Sequence, residues 1–398
     1  MPATAAQIFG PTTIDPGFTT TGEKTLLTMN TTLPAGGKNI IITSFFENVG
    51  SGARIVFAIK KGANTLYTTY LTHISDGWGQ RAKPIMLIAV DDAPAGNDVY
   101  TFVINVTTAG STTGNANVQG IVIKVPADEV TWVYNTTANR VNAGATATIV
   151  TSTVSYPAGS KVVVIAMAYG QSTSGDLRIG EGNIRIKKGT SIVSANQFNI
   201  GTRSDFPTPS WMNLIWLDTA SGAVTYSVEV YNPSSAAIDF YAELVTFVVA
   251  DAAFIDTSAV ALSSGVQVTV ANMSTNLTGD VAVIALVAAE NTSSTNQAPF
   301  ATGSVVLQIN NQTTTQISNV GSSWYVAPNI YHSRSGVLPL FRFDTNVTNP
   351  SYQVKMTAGF AGIRGEAKIV AFSVAVIEVK TITDSGTGVE SVTVFANI

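Results

Sequence analysis

An apolar strand, an aspartate, a short turn of small residues and a tyrosine follow one another three times in this chain. The aspartates are Asp91, Asp218 and Asp344, which lie 127 and then 126 residues apart. A tyrosine follows each of them after eight or nine residues. This period is far longer than the roughly 20–50 residues of solenoid repeats. Each copy is therefore expected to be a complete domain with its own core.

Three further features keep the same order in every copy. They are a turn before an apolar strand (residues 33–42, 156–165 and 277–284), an alternating strand that ends in a polar turn (55–62, 184–189 and 305–311) and a closing apolar strand (121–125, 244–249 and 374–379). Between them lie turns rich in Gly, Pro, Asn and Ser, and no stretch has a clear helical period. Many short strands with such turns are typical of a β-sandwich or β-barrel.

This order of strands and turns resembles jelly-roll domains of the tumour-necrosis-factor-like kind, and it is similar to β-sandwich repeats in phage and archaeal-virus structural proteins. The resemblance covers about residues 23–380 and concerns turn and core motifs, so it implies a fold more than a function. The predicted fold is all-β: three tandem jelly-roll-like antiparallel β-sandwich domains with extended arms at both termini. The predicted boundaries are an N-terminal arm at 1–22, repeats at 23–127, 128–252 and 253–380, and a C-terminal strand or arm at 381–398.

The composition argues against several functions. Charged residues make up 12% of the chain, about half the usual ~25%, and the net charge is −4. Such a chain is not expected to bind nucleic acid through many phosphate contacts. It has no cysteine, which excludes disulfides, thiolate metal sites and cysteine nucleophiles.

No membrane insertion or secretory signal is expected from the sequence. The longest apolar run, Val281 to Ala289, has nine residues, whereas a spanning helix needs about 20. The segment Met1–Gln7 has no basic region followed by an apolar stretch.

The chain is predicted to be non-enzymatic and to need no cofactor. Its two histidines, His73 and His332, lie in different copies, and neither belongs to a His-x-x-x-His pair. No Gly-x-Ser-x-Gly nucleophile motif and no phosphate-binding loop occurs.

The repeated aspartates have two interpretations. An aspartate in a turn accepts hydrogen bonds from backbone N–H groups two residues on, which makes the motif structural. Calcium needs six to eight oxygen ligands, and only the first copy has further acids nearby. The candidate calcium ligands are therefore Asp91, Asp92 and Asp98.

Aromatic residues and Arg gather in the loop before each Asp-bearing strand, where such residues are typical contact anchors. The alternative is that they fold back over an open end of the sandwich. The candidate surface-contact residues are Trp78, Trp211, Trp324, Tyr325, Tyr331, His332 and Arg334.

Eight Asn-x-Ser/Thr triplets are candidate glycosylation sites if the chain meets a glycosylation machinery. They begin at Asn30, Asn105, Asn135, Asn272, Asn276, Asn291, Asn311 and Asn346.

A surplus strand remains after the third copy. Val392, Val394, Ala396 and Ile398 alternate with residues 393, 395 and 397, which predicts a β-strand with one apolar face. It could pair with an edge of its own third domain, cross to a neighbouring subunit as an assembly strand, or remain a free tail.

These features predict a virion structural protein, namely a spike, turret, tail-fibre or capsid subunit that self-assembles on the virion surface. Its predicted partners are copies of itself, other virion proteins and host-surface glycans. One alternative is an extracellular cell-surface filament or surface-layer subunit of archaeal type, and a second is a secreted carbohydrate-binding module.

Overall fold

The structure is a computed structural model. It describes the chain except residues 1–2, 4, 16, 48–52, 71–72, 75–83, 111–115, 173–176, 180–183, 196–199, 203–209, 233–236, 292–303, 310–336, 360–361, 375–377, 383–391 and 397–398. For residues 47, 73–74, 171–172, 177–179, 200–202, 210, 290–291, 304, 378–382 and 392–396 it describes the backbone alone.

The described residues form 30 strands. Repeat 1 contains β1 Ala5–Ile14, β2 Gly22–Asn30, β3 Lys38–Glu47, β4 Arg54–Lys61, β5 Asn64–Thr68, β6 His73–Ile74, β7 Pro84–Asp91, β8 Val99–Thr108 and β9 Ala116–Val125. Repeat 2 contains β10 Val130–Tyr134, β11 Asn139–Val141, β12 Thr146–Tyr156, β13 Lys161–Ser172, β14 Leu177–Ile179, β15 Ile184–Lys188, β16 Ser191–Ala195, β17 Ile200–Thr202, β18 Ser210–Thr219, β19 Gly222–Tyr231 and β20 Ile238–Val249. Repeat 3 contains β21 Ala252–Asp256, β22 Val260–Leu262, β23 Gln267–Ser274, β24 Thr278–Asn291, β25 Ser304–Ile309, β26 Val337–Thr348, β27 Ser351–Thr357 and β28 Ile363–Val374; β29 Glu378–Ile382 and β30 Val392–Ala396 follow it.

Each repeat is a sandwich of two antiparallel sheets with one shared topology. In repeat 1 the order is β1-β9-β3-β7 in the sheet that we call inner, and β2-β8-β4-β5 in the outer sheet. Repeat 2 has inner order β10-β20-β13-β18 and outer order β12-β19-β15-β16, and repeat 3 has β21-β28-β24-β26 and β23-β27-β25. The prediction of three jelly-roll-like β-sandwich domains is confirmed.

The termini differ from the sequence-based prediction. The segment predicted as an arm over residues 1–22 supplies β1, which pairs along β9 as the edge strand of the first inner sheet. Without β1, the edge of β9 would be left with unpaired backbone groups. At the other end the third inner sheet includes β28, which ends at Val374; residues 375–377 of the predicted closing strand lie outside the described residues.

The inner sheets are apolar on both faces because each covers its own sandwich with one face and the other repeats with the second. In β24, Val281, Val283, Ala285 and Val287 belong to the core of repeat 3. The alternating residues Ala282, Ile284, Leu286 and Ala288 belong to a cluster that also includes core residues of repeats 1 and 2. Strand β7, whose eight residues are all buried, shows the same double burial.

The three repeats contact one another in a closed ring. Strand β18 of repeat 2 packs against β21, β24 and β28 of repeat 3, and β26 of repeat 3 packs against β1, β3, β7 and β9 of repeat 1. The ring closes where Tyr67 and Tyr70 of repeat 1 contact Trp132, Tyr169 and Tyr241 of repeat 2. The chain therefore forms one block in which each sandwich contacts the other two.

Helical structure is nearly absent from the described residues. They contain a single 3₁₀ turn at Ala127–Glu129. Within this part of the chain, no helix has the length and hydropathy to cross a membrane.

We predict a direct energetic coupling between repeats 2 and 3 at Phe247 and Phe372. Both side chains are fully buried, and their rings meet edge to face with centroids 5.7 Å apart. A double-mutant cycle with Phe247→Leu and Phe372→Leu should give a coupling energy of about 0.5–1.5 kcal/mol in the free energy of unfolding. Denaturant unfolding measures these free energies. If the loss in the double variant equals the sum of the losses in the two single variants, the contact is contradicted.

Candidate functional site

The repeated aspartate lies where the chain passes from an inner-sheet strand to an outer-sheet strand in each repeat. In repeat 1, Asp91 is the last residue of β7, and its Oδ2 accepts hydrogen bonds from Lys61 Nζ at 2.7 Å and Tyr100 Oη at 2.7 Å. Its Oδ1 accepts the backbone N–H of Ala93, two residues on, at 3.1 Å. Lys61 also pairs with Asp98 at 3.0 Å. One lysine of the outer sheet thus links both acids of the turn.

Repeat 2 repeats this arrangement with equivalent residues. Lys188 Nζ lies 2.7 Å from Asp218 Oδ2, and Tyr226 Oη donates to the same oxygen at 2.6 Å. The N–H of Thr219 donates to Oδ1 at 2.8 Å. The Lys-Lys-Gly turn therefore supplies the cation in both repeats. The sequence analysis identified the polar turn that holds these lysines but did not predict their ion pairs with the aspartates.

Repeat 3 obtains its cation from another strand. Residues 310–311, the asparagines that replace the Lys-Lys pair, lie outside the described residues. Arg342, two residues before Asp344 on β26, holds the carboxylate with two contacts of 2.5 and 2.6 Å. Tyr352 Oη is buried and interacts with Asp344; burial and this interaction raise the pKa of the tyrosine, but its hydroxyl makes no hydrogen bond of normal geometry among the described residues. The sequence signal for this exchange is that the repeat without the Lys-Lys pair has an arginine two residues before its aspartate.

The network is electrostatically suited to a structural role. Burial alone would raise the pKa of Asp91, but hydrogen bonds from Lys61 and Tyr100 outweigh it and hold that pKa below its usual value. Burial, together with the hydrogen bond to the adjacent carboxylate, raises the pKa of Tyr100 and of Tyr226. Asp91 thus stays ionised and both tyrosines stay protonated near neutral pH, whereas a general acid or base would need to exchange a proton there.

The calcium interpretation of Asp91, Asp92 and Asp98 is not supported by this geometry. The ammonium group of Lys61 occupies the position between Asp91 and Asp98 that a cation would take. Asp92 lies apart from them and pairs with Lys38 at 2.7 Å. Among the described residues, no three His, Cys, Asp or Glu side chains form a metal-binding group.

Trp211 was predicted as a surface contact, and this prediction is wrong. Its side chain is 3% exposed and stacks on Tyr169 with ring centroids 4.3 Å apart. Tyr169 stacks in turn on Tyr241, which stacks on Tyr70 of repeat 1. The tryptophan thus fills space inside the block, as the alternative of folding back over the sandwich foresaw. The aromatic contact between repeats 1 and 2 was not predicted.

The other predicted contact residues stay predictions. Outside the described residues lie Trp78, Trp324, Tyr325, Tyr331, His332 and Arg334. The backbone of His73, the other histidine, pairs with Ile55 of β4.

The glycosylation candidates differ in exposure, and their modification remains a prediction. Five of them are exposed: Asn30, Asn105, Asn272, Asn276 and Asn346. The Nδ2 group of Asn135 donates to Thr137 O at 2.6 Å, so this amide is engaged within the fold. Asn291 has only its backbone described, and Asn311 lies outside the described residues.

The predicted C-terminal strand forms as β30, with Val392, Val394 and Ala396 in it; Ile398 lies outside the described residues. It pairs antiparallel with β29, from Ile382↔Val392 to Glu378↔Ala396. This two-stranded sheet is separate from both sheets of repeat 3. Among the described residues its partner is thus residues 378–382 of the same chain, and its role as an assembly strand stays a prediction.

No protein-family model matches the sequence, and no curated protein matches it. Among solved structures, N-glycanase F (PNGase F) is 10% identical over 62% of this chain and 96% of its own, with a TM-score of 0.34. A protein from a study of the triple jelly-roll fold and turret assembly in an archaeal virus is 15% identical over 87% of this chain and 82% of its own (TM-score 0.19). The major capsid protein P2 of bacteriophage PM2 is 10% identical over 63% and 99% (TM-score 0.25). The similar structures thus include virion proteins, the class that the sequence resembles, but with all TM-scores below 0.5 the function is inferred from the chain's own residues.

Replacing Lys61 should destabilise repeat 1. Lys61→Met leaves Asp91 and Asp98 without their cation, and because Lys61 is 24% exposed in its side chain we expect a loss of about 2 kcal/mol at pH 7, below the ~3–5 kcal/mol of a fully buried pair. The pKa of Asp91 is lowered in the folded wild type, so this stabilisation is present above its ordinary value of 3.8 and lost as the pH falls below it. The difference in the free energy of unfolding between Lys61→Met and the wild type should therefore become smaller in acid. Urea unfolding at neutral and acidic pH measures it.

Lys60→Met is the matched control. Lys60 pairs with Glu23, whose side chain is 51% exposed, and exposed pairs contribute about 0–1 kcal/mol. Equal losses for the two variants would show that the Asp91 network is not a specific anchor.

The repeated tyrosines should differ in their response to loss of the hydroxyl. Tyr226→Phe removes a hydrogen bond to the buried Asp218 and should cost about 1–2 kcal/mol. Tyr352→Phe should cost less than this, since its buried hydroxyl interacts with Asp344 without a hydrogen bond of normal geometry among the described residues. Denaturant unfolding of the two variants checks this order, and the reverse order would refute the assigned networks.

Proposed function

We propose that this chain is a non-enzymatic structural protein of a virion, acting as a spike, turret, tail-fibre or capsid subunit. The observation that carries the proposal is the apolar cluster shared by all three repeats. It joins three sandwiches of one chain into a single block with three outer sheets. Such a block, held together by a shared apolar core, suits a building unit of a larger assembly.

Self-assembly is proposed to use the hairpin β29–β30. In the described residues these strands pair only with each other, and a two-stranded hairpin alone is marginally stable in water. A second copy of the chain, or another virion protein, would stabilise it by covering one face or adding a strand. The proposed contact residues on β30 and beyond are Val392, Val394, Ala396 and Ile398.

Attachment to host-surface glycans is a second proposed activity. Tyr70 and Tyr134 are each 37% exposed and lie at the junction of repeats 1 and 2. Tyr134 packs against Trp132 with centroids 4.4 Å apart. Tyrosine and tryptophan are enriched at contact surfaces because their rings offer apolar area beside a polar group. The proposed location is accordingly the virion surface. A cell-surface filament is the alternative.

Electron microscopy of the assembled protein tests the assembly proposal. The full chain should form regular particles or decorate a capsid, whereas a chain without residues 378–398 should stay dispersed. Its melting temperature should change little, because β29 and β30 belong to no sandwich sheet.

A matched pair of variants sharpens this test. Val394→Asp should block assembly, while Thr393→Asp, at the adjacent position that faces the other way along a strand, should affect it less. Normal particles from the truncated chain would exclude the hairpin as the assembly element. Strands exchanged along a continuous filament would favour the cell-surface alternative.

A further inference from the structure

The same position of the inner sheet carries a buried polar residue in every repeat. The strands β3, β13 and β24 each pair with the repeated aspartate on one side, and five residues further along they pair with a polar residue on the other side. That polar residue is Gln119, Glu243 or Lys368. Two of the three have evident partners. Gln119 donates to Pro339 O of repeat 3 at 2.6 Å, and Lys368 pairs with Asp256 at 2.5 Å. Glu243 is the exception.

Glu243 is enclosed by aromatic side chains between repeats 1 and 2. It is fully buried, and its Oε2 accepts a long hydrogen bond of 3.3 Å from Trp132 Nε1. The hydroxyl of Tyr67 is a second hydrogen-bonding neighbour of the carboxyl group, but Oε1 has no hydrogen bond of normal geometry within the described residues. Beside it, Tyr67 Oη of repeat 1 and Tyr169 Oη of repeat 2 lie 3.2 Å apart, and Tyr169 Oη also accepts the N–H of Tyr70 at 3.1 Å.

We propose that the protonation of Glu243 controls the junction between repeats 1 and 2, closing it when the carboxyl group is neutral and loosening it when the group is ionised. A neutral carboxyl can remain among aromatic rings. An ionised one, buried without a cation, is strongly unfavourable, and water can reach it only if the tyrosines of repeat 1 move away.

The surrounding titratable groups agree with this role. Around Glu243 they are tyrosines: Tyr67 and Tyr70 of repeat 1, and Tyr134, Tyr169 and Tyr241 of repeat 2. No Lys or Arg among the described residues contributes to its ionisation. Burial, and to a lesser degree the Glu243 carboxylate, raise the pKa of Tyr67, Tyr70 and Tyr169, so these phenols stay neutral while Glu243 titrates.

The direction of the pH effect follows from burial, which outweighs the hydrogen bonds from Tyr67 and Trp132 and raises the pKa of Glu243 to about 8 from an ordinary value of 4.5. The folded, closed junction therefore holds a proton that an open, solvated carboxyl releases. Its stabilisation is complete below pH 4.5 and is lost as the pH rises to about 8. The junction should be tightest in acid and loosest in alkaline solution.

Hydrogen exchange of the intact chain tests the proposal. After correction for the intrinsic pH dependence of exchange, peptides covering residues 64–70 should exchange about thirtyfold faster at pH 9 than at pH 6.5, the ratio that pKa values of 4.5 and 8 imply. Peptides from β24 and β28 of repeat 3 should change little. Glu243→Gln, which places in repeat 2 the amide that repeat 1 has at Gln119, should abolish the increase.

Two further variants test whether the pH response depends on a buried acid at this position of the inner sheet. Glu229→Gln is the matched control, since Glu229 pairs with Arg185 and Lys187 outside this junction, and it should keep the wild-type increase. Gln119→Glu should make residues 337–342, at the junction of repeats 1 and 3, newly sensitive to alkaline pH. An unchanged increase in Glu243→Gln, or a flat wild-type profile at residues 64–70, would overturn the proposal; if Glu243→Gln does not fold, the response of Gln119→Glu decides it.

Discussion

Burial of both faces of the inner sheets is the interaction on which the rest of this structure depends. A sheet that covers a single sandwich needs one apolar face, and its strands alternate between apolar and polar residues. Here β7 is buried along its whole length, and β24 divides its residues between the core of repeat 3 and the cluster shared with the other repeats. The three sandwiches consequently cannot separate without exposing apolar surface, and they form one block.

The aspartate anchors show which part of the repeat is fixed and which can vary. The aspartate keeps its place in the inner sheet in all three copies, where it pairs with the neighbouring strand at Asn39, Val162 or Val281. In two copies the cation is a lysine of the outer sheet, Lys61 or Lys188. In the third copy it is Arg342, which lies on the same strand as the aspartate. The network requires a positive charge at that point, whichever strand supplies it.

The sequence predicts what is local and periodic. The spacing of the aspartates indicates three domains, and alternation within strands indicates sandwiches; the structure agrees with both. Contacts between repeats have no such period. Trp211 looks like a loop aromatic in the sequence but is buried against Tyr169, and β1 looks like an arm because its turn-rich segment lies before the first recognised motif. Glu243 is one of 25 acids, and only the packing of Tyr67 and Trp132 around it distinguishes it from the others.

Fusing the three domains in one chain permits an asymmetry that three identical subunits could not have. In a symmetric trimer, one residue type would occupy every equivalent junction, so a buried acid would appear three times. Here the equivalent position carries an amide at Gln119, an acid at Glu243 and a lysine at Lys368. The amide of Gln119 does not titrate and donates its hydrogen bond to Pro339 at any pH, and Lys368 forms an ion pair with Asp256. Only the acid lacks a counter-charge among the described residues, so sensitivity to pH is confined to one of three junctions while the other two hold the block together.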